Sequence, residues 1–279
     1  MEAFYIWMQN WLPFEWTQYH FMLNALLAVL LVTPLFAILG TMVVNNKMAF
    51  FSDAIGHSAL TGIAIGVLLG MGDPLLAMLA FSIILAIGIS NVKARGRSSP
   101  DTIIGVFSST AVALGIVILS REGGFAKYSN YLIGDLLSIS VSQIMILTAV
   151  LLLVLLFWSI FFNQLLLVSV NSSLARSRGV NVRVVEIAFS IIVALVVTVS
   201  IQWVGILIIN SLLVLPAAAA RNIAVNMRQY HLITLLIAVI SGLSGLICSY
   251  YWGTASGATI VLCASVLFIL SLFGKTKSI

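Results

Sequence analysis

The chain has 279 residues, of which 62% are hydrophobic and 8% are charged, whereas a soluble domain is charged at about 25% of its positions. This composition excludes a water-soluble domain and predicts an all-α bundle of membrane helices, one integral-membrane domain over residues 1–279. The formal net charge of +5 does not indicate nucleic-acid binding, because the basic residues form short clusters between apolar segments. Cys248 and Cys263 both lie in apolar segments and predict no disulfide framework.

Apolar segments separated by charged residues or by Gly and Pro predict about nine membrane-spanning helices. Residues 1–18 precede them and are rich in Trp, Tyr and Phe, which is typical of a segment at the membrane interface. The division at 203–205 and the nature of 129–142 leave an alternative of eight spans plus a short or re-entrant helix. The predicted spans are 21–43, 52–71, 75–92, 102–120, 143–162, 184–203, 205–224, 231–251 and 257–273.

The basic residues predict the orientation of these spans. If the N-terminus is outside, only Arg121 and Lys127 of the 13 Lys and Arg residues lie on outer segments. Cytoplasmic loops carry an excess of Lys and Arg, so we expect the N-terminus outside and the C-terminus in the cytoplasm. That orientation requires an odd number of spans and favours nine over eight. The cytoplasmic basic residues are Lys47, Lys93, Arg95, Arg97, Arg176, Arg178, Arg183, Arg221, Arg228, Lys275 and Lys277.

The longest predicted cytoplasmic connection is the polar and basic segment 163–183. Ser172 and Ser173 are candidate N-caps of a short helix that ends at Gly179. One interpretation is a loop that faces anionic lipid headgroups. The other is a surface that docks a cytoplasmic partner, and composition does not decide between the two.

An acidic side chain inside a membrane span is costly, about 2.5–3.5 kcal/mol for Asp at a helix centre. Asp53 and His57 lie four residues apart near the start of the second predicted span, so they share one helix face, which Thr61 continues. Carboxylate and imidazole ligands suit Zn²⁺, Mn²⁺ or Fe²⁺. Two copies of the chain around a two-fold axis would supply four such ligands. The alternative is a mutual hydrogen bond, or Asp53 as a helix N-cap with the histidine facing the bundle.

Three further polar positions are candidates for a translocation path. Asp135 follows Gly134 and is interpreted as an N-cap on the outer side or as part of the funnel through which metal enters. Asn210 and Ser211 lie midway along a span that we expect to end at Pro216, and they form interhelical hydrogen bonds or line a cavity. Two other histidines, His20 and His231, lie near predicted interfaces and are expected to be solvated.

Several catalytic motifs are absent from the sequence. No G-x-x-x-x-G-K-[ST] loop is present to bind nucleotide phosphates, so we expect ATP hydrolysis only in a separate subunit. Neither H-E-x-x-H nor G-x-S-x-G occurs, which argues against the commonest metalloproteases and serine hydrolases. We therefore expect a transport subunit and not an enzyme.

Four segments, SDAIGHSALTGIAIG, YLIGDLLSIS, VGILIINSLLVLPAAAARNIA and SGATIVLCASVLFILS, resemble in order and spacing the membrane subunits of the ABC-3 family of zinc, manganese and iron importers. The resemblance covers about residues 20–275. It implies a homodimer in a bacterial cell membrane, a dimer of cytoplasmic ATP-binding-cassette ATPases, and an extracytoplasmic metal-binding protein. It further implies that Asp53 and His57 bind the transported metal. The segment implied to contact the ATPase includes Leu174, Ala175, Arg176 and Gly179.

The same resemblance has one departure. Relatives often have an acidic residue and a proline before S-G-A-T, whereas this chain has Gly253 and Ala255 in WGTASGATIV. We therefore expect no acidic contribution to metal capture from this outer loop. The absence of thiolates among the candidate ligands and the similarity to zinc permeases favour Zn²⁺ as cargo over Mn²⁺ or Fe²⁺, with no permanently bound cofactor.

Two rival functions remain open at this point. One is a secondary carrier driven by an ion gradient, and the other is an intramembrane metalloenzyme with a metal-activated water. Neither explains both the connection 163–183 and the absence of energy-coupling groups in this chain.

Overall fold

The computed structural model describes residues 8, 14–96, 98–121 and 136–274, without the side chains of three of them (Arg121, Trp203 and Leu207). Over these residues the fold is all helical, with ten α-helices and two short 3₁₀ turns, at Glu15–Gln18 and Leu136–Ser138. The helices are α1 His20–Asn45, α2 Ala49–Leu68, α3 Leu75–Lys93, α4 Pro100–Arg121, α5 Val141–Val170, α6 Ser172–Ser177, α7 Val182–Val204, α8 Ile206–Ile223, α9 Met227–Trp252 and α10 Ser256–Leu272.

Each of the nine predicted apolar segments corresponds to a helix of the structure. Within the described residues, seven of these helices are long and apolar enough to cross a membrane, and α8 and α10 are shorter apolar helices. The membrane-helix bundle expected from composition is therefore confirmed. The orientation of the termini stays a prediction.

The predicted division near Trp203 is confirmed and has an unusual geometry. A single residue, Gly205, separates α7 from α8, with φ 80° and ψ 155°. This backbone region is essentially restricted to glycine, because a Cβ atom would clash there. Its neighbours Val204 and Ile206 are 1% and 7% exposed. The helix therefore breaks inside the bundle, where surrounding protein shields the irregular backbone from lipid.

The predicted connection 163–183 is shorter in the structure, because α5 continues through Val170. Leu165 and Val168 are buried, and this burial extends the helix past the predicted end of the span. The rest of the connection contains the predicted short helix, α6. We expected Ser172 or Ser173 as its N-cap, but the N-cap is Asn171. The Oδ1 atom of Asn171 accepts hydrogen bonds from the backbone N–H groups of residues 173 and 174 at 2.9 and 3.1 Å.

Pro216 does not end its helix, contrary to our expectation. Helix α8 continues through it to Ile223, and α1 likewise contains Pro34. A proline leaves one carbonyl of the preceding turn without its helical partner. In membrane bundles, neighbouring helices and local adjustments satisfy such groups, so proline is tolerated inside a span.

Two predicted segments lie partly outside the described residues. Of the segment 1–18, the described part includes Trp16, which is 4% exposed and packs in the core. Of the segment 129–142, residues 136–142 are described. They contain a 3₁₀ turn and then Ser140, the N-cap of α5, which forms a capping box with Gln143. The end of the predicted short helix therefore belongs to the start of α5.

The helices form two groups that meet at α8. Helix α2 packs against α3 and α4, and α3 packs against α7, where Ser82 and Ser90 form hydrogen bonds to Thr198 and Ser190 at 2.8 Å. The second group consists of α1, α8, α9 and α10, and α5 lies against α1 and α7. Because α8 contacts α2 as well as α1, residues on α2 and α8 lie where the two groups join.

Candidate metal site

Asp53 and His57 lie on the one open stripe of an otherwise buried helix. Between Phe51 and Gly66, every residue of α2 is buried except Asp53, His57 and Ile65. The exposed fraction is 44% for the Asp53 side chain and 45% for the His57 side chain. Their nearest atoms, Asp53 Oδ1 and His57 Nε2, are 3.4 Å apart. An oxygen and a nitrogen donor therefore face the same opening.

The position of Asp53 within α2 excludes one alternative. The N-cap of α2 is Met48, so Asp53 lies in the second turn and cannot cap the helix. The hydrogen-bonded pair with His57 remains. Within the described residues, Asp53 forms an ion pair with no lysine or arginine, so no fixed cation balances this carboxylate. An open carboxylate and imidazole without a fixed counter-charge are suited to bind a mobile cation.

Asn210 joins this pair from a different helix. Its Nδ2 group donates a hydrogen bond to Asp53 Oδ1 at 2.6 Å. The break at Gly205 makes this contact possible, because it starts α8 beside α2, where Ile206 packs against Gly56. The Oδ1 atom of Asn210 is buried and has no hydrogen-bond partner among the described residues. Asn210 therefore orients the carboxylate and holds an unpaired oxygen next to it.

Of the other predicted path residues, Thr61 is bound elsewhere. Thr61 is 0% exposed and donates its hydroxyl hydrogen bond to the carbonyl of Ala111 in α4, so the polar stripe of α2 ends at His57. Ser211 is half-buried and follows Asn210 in α8. Asp135 lies outside the described residues. The roles of these residues in a path stay predictions.

The expectation that His231 is solvated is wrong. Its Nδ1 atom is 2.7 Å from the carbonyl oxygen of Met227, and its Nε2 atom is 3.2 Å from the hydroxyl of Thr41 in α1. Both ring nitrogens are thus occupied inside the protein, and the ring is half-buried. His231 therefore ties α9 to α1. His20 is exposed at the start of α1, as expected.

The candidate ligand set of one chain is small. Among the described residues, no group of three or more His, Cys, Asp or Glu side chains is close enough to hold a metal ion. Zinc in proteins is usually bound by four ligands, or by three and a water molecule. One chain offers a carboxylate, an imidazole and an amide, which is suited to a weakly held cation or to a site completed by another molecule.

Helix α6 presents most of its surface outward. Ala175 is fully buried, whereas Leu174 and Arg176 on either side of it are exposed. After the helix, Gly179 adopts φ 78°, and the backbone N–H of Val180 returns to the Ala175 carbonyl at 3.0 Å. One anchored side chain and a closed turn therefore hold a short helix whose remaining side chains are available for contact.

The loop between α9 and α10 is short and uncharged. Gly253 ends α9 in the left-handed conformation, with φ 63°. The backbone N–H of Thr254 donates to the carbonyl of Ser249 at 3.1 Å. Residues 251–255 are exposed and include no acidic side chain.

Comparisons with known proteins identify the family. The family model described as ABC 3 transport family matches residues 18–275. The chain is 34% identical over 254 residues to the high-affinity zinc uptake system membrane protein ZnuB of Haemophilus influenzae, covering 91% of this chain and 97% of that protein. It is 30% identical over 259 residues to the manganese import system permease protein ScaB of Streptococcus gordonii, covering 93% of each.

A solved structure shares the fold over nearly the whole chain. PsaBC from Streptococcus pneumoniae in complex with Fab superposes with a TM-score of 0.79 at 28% identity, covering 98% of this chain and 96% of that one. The family membership that the four sequence motifs indicated is thereby confirmed. The chain belongs to the ABC 3 transport family and is a multi-pass membrane permease subunit, not an enzyme.

Proposed function

We propose that this permease imports a divalent transition metal, most readily Zn²⁺, and that Asp53 and His57 bind the ion in transit. The observation that carries the proposal is the oxygen and nitrogen donor pair, 3.4 Å apart, on the open stripe of a buried membrane helix. The similarity of the chain to a zinc uptake protein and to a manganese import permease supports a divalent transition metal as the cargo. The higher identity to a zinc uptake protein favours zinc, and Mn²⁺ or Fe²⁺ is the alternative.

A second copy of the chain completes the proposed site. Nearly half of each of the two side chains is exposed in the single chain, and an acidic side chain that faces lipid is costly. A two-fold axis beside α2 would bring two carboxylates and two imidazoles together, since such interfaces use the same surface of both copies. Four ligands from flexible side chains bind an ion strongly enough to select it and weakly enough to release it.

The energy source lies in partner proteins. We propose that an extracytoplasmic metal-binding protein delivers the ion to the outer side and that a dimer of ATP-binding-cassette ATPases docks on the cytoplasmic side. Helix α6 is the proposed contact, with Leu174 and Arg176 exposed around the buried Ala175 and the turn at Gly179. This assignment requires the orientation that the basic residues predict, with the N-terminus outside and the C-terminus in the cytoplasm.

The proposed function is tested by uptake into sealed vesicles that contain the chain and its cognate ATPase, with the cognate metal-binding protein on the side opposite the ATPase. We expect zinc to accumulate only when ATP is present in the compartment that the ATPase faces. Unlabelled manganese should compete with this zinc uptake less strongly than unlabelled zinc does. Vesicles with the chain alone are the control. Zinc movement without the ATPase would instead indicate a secondary carrier, and release of a hydrolysed product would indicate a metalloenzyme.

Metal binding should weaken as the pH falls. Only the neutral imidazole and the ionised carboxylate bind a metal, so protons compete with the ion for His57 and Asp53. Between about pH 7.5 and about pH 5.5, which brackets the ordinary histidine pKa of about 6.5, we expect the zinc affinity of purified chain to fall about tenfold for each histidine in the site. Equilibrium dialysis measures this change. An unchanged affinity over that range would argue against these ligands.

Replacing Asn210 with Leu should weaken metal binding with little effect on folding. The variant removes the donor that orients Asp53, and the loss of residues that orient metal ligands typically costs about 10–100-fold in affinity. Zinc affinity and thermal unfolding are measured on the same purified sample. The matched control is Asn222→Leu in the same helix, whose Nδ2 group donates to Ser271 at 2.9 Å. Equal zinc affinities in the two variants would contradict an orienting role.

A further inference from the structure

A groove lies between α5 and α9, outside the metal site. Its α5 wall consists of Trp158, Phe162 and Leu166, and its α9 wall begins at Met227, the first residue of that helix. The groove has a volume of about 560 Å³. Its lining is aromatic and aliphatic except for one histidine and one arginine. The groove therefore offers a large apolar surface with a polar contact at one end.

The histidine in the groove, His231, stabilises the wall of the groove. Neither of its ring nitrogens is free to bind a ligand. Both nitrogens of His231 are engaged with Met227 and Thr41. The rings of Trp158 and Phe162 pack edge-on against the imidazole, with centroid distances of 5.7 and 5.5 Å. The aromatic side of the groove is thus held at a fixed distance from α9, and the groove is a built feature of the packing.

The charge at the groove mouth is positive and unbalanced. Arg228 is exposed in the first turn of α9, where a membrane helix meets the headgroup region. Within the described residues it forms no ion pair with a carboxylate. The segment 221–231 contains a second arginine and no acidic residue. One turn deeper, Leu232 is 61% exposed and continues the apolar surface away from the charge.

We propose that this groove binds an anionic phospholipid of the surrounding membrane, with the phosphate at Arg228 and an acyl chain between α5 and α9. Basic side chains at the membrane surface attract anionic headgroups, and each methylene buried along the groove adds to the affinity. A free phosphate ion would contact the single arginine and leave the apolar walls uncovered. A phospholipid matches both the charge and the length of the groove, because Trp158 and Phe162 continue the wall toward the membrane interior.

Fluorescence quenching of Trp158 tests the proposal. The full chain in detergent micelles is titrated with phosphatidylglycerol or phosphatidylcholine, each with brominated acyl chains, and the Trp158→Phe variant isolates the signal of this residue. We expect about fivefold tighter quenching by phosphatidylglycerol, which corresponds to about 1 kcal/mol per basic side chain at the membrane surface. Arg228→Gln should remove this preference. Arg178→Gln, which changes an exposed arginine just after α6, should retain it.

Three outcomes would overturn the proposal. The first is equal quenching of Trp158 by the two lipids in the unmodified chain. The second is a preference for phosphatidylglycerol that survives Arg228→Gln. The third is complete loss of the preference in excess inorganic phosphate at constant ionic strength, which would indicate a site for a free anion. The measurement uses neither the metal nor the ATPase, so its outcome is independent of the proposed transport function.

Discussion

Replacing His57 with Ala is expected to reduce ATP-dependent zinc uptake by at least about 100-fold. Residues that merely orient a metal ligand contribute about 10–100-fold to affinity, so loss of a ligand should cost at least the upper end of that range. The variant also leaves Asp53 without the imidazole that lies 3.4 Å away, so the site loses its nitrogen ligand. Uptake of radioactive zinc into vesicles with the cognate ATPase measures the effect.

The matched control for this variant is His20→Ala, which removes an exposed histidine at the start of α1 and should leave uptake unchanged. A second variant separates a metal ligand from a structural hydrogen bond. His57→Gln keeps a hydrogen-bonding side chain but lacks an imidazole, so uptake should stay low if His57 binds the metal. Uptake near the level of the unmodified chain in His57→Gln would mean that the pair with Asp53 is structural.

Replacing Gly40 with Ala is expected to destabilise the bundle by about 3 kcal/mol, the upper end of the usual range for overpacking a core. A Cβ atom at Gly40 would overlap the carbonyl oxygen of Leu213 in α8 and lie 3.0 Å from its carbonyl carbon. Both are backbone atoms, so no side chain can rotate away, and α1 and α8 would have to separate. Thermal unfolding of the purified variant measures the loss.

The control for this variant is Gly105→Ala in α4, where an added Cβ atom meets nothing within 4 Å. Alanine limits the unfolded chain more than glycine does, so this change should be neutral or should stabilise by about 0.4–1 kcal/mol. If Gly40→Ala unfolds at the same temperature as the unmodified chain, the close contact between α1 and α8 does not contribute to stability. Helix α8 also carries Asn210, so a shift of this helix should weaken metal binding in the same variant.

The positions of the helices could be predicted from the sequence because a membrane helix depends mainly on local composition. Every predicted apolar segment is a helix, and the glycine break between α7 and α8 was found as well. The errors lie where local signals compete with packing. Helix α5 continues to Val170 because Leu165 and Val168 find a buried environment, and α8 passes through Pro216 because its neighbours accommodate the proline.

Part of the candidate site could likewise be predicted from the sequence, and part depends on packing. Asp53 and His57 are four residues apart, so helix geometry alone places them on one face. Thr61 has the same spacing from His57, yet its hydroxyl bonds to Ala111 in α4. A spacing of four residues therefore identifies a shared helix face, but it does not determine which side chains on that face reach the opening.

The sequence by itself determined the class of protein, the helical segments, the family and the candidate pair of metal ligands, because each depends on composition, on short motifs in order along the chain or on residues within about one helical turn. Only the tertiary structure decided that Asn210 reaches Asp53 across 157 residues, that His231 is tied to Thr41, and that a groove forms beside Arg228. These features depend on how helices distant in sequence pack. Glycine contacts and helix breaks set that packing, and no periodicity in a single segment encodes it.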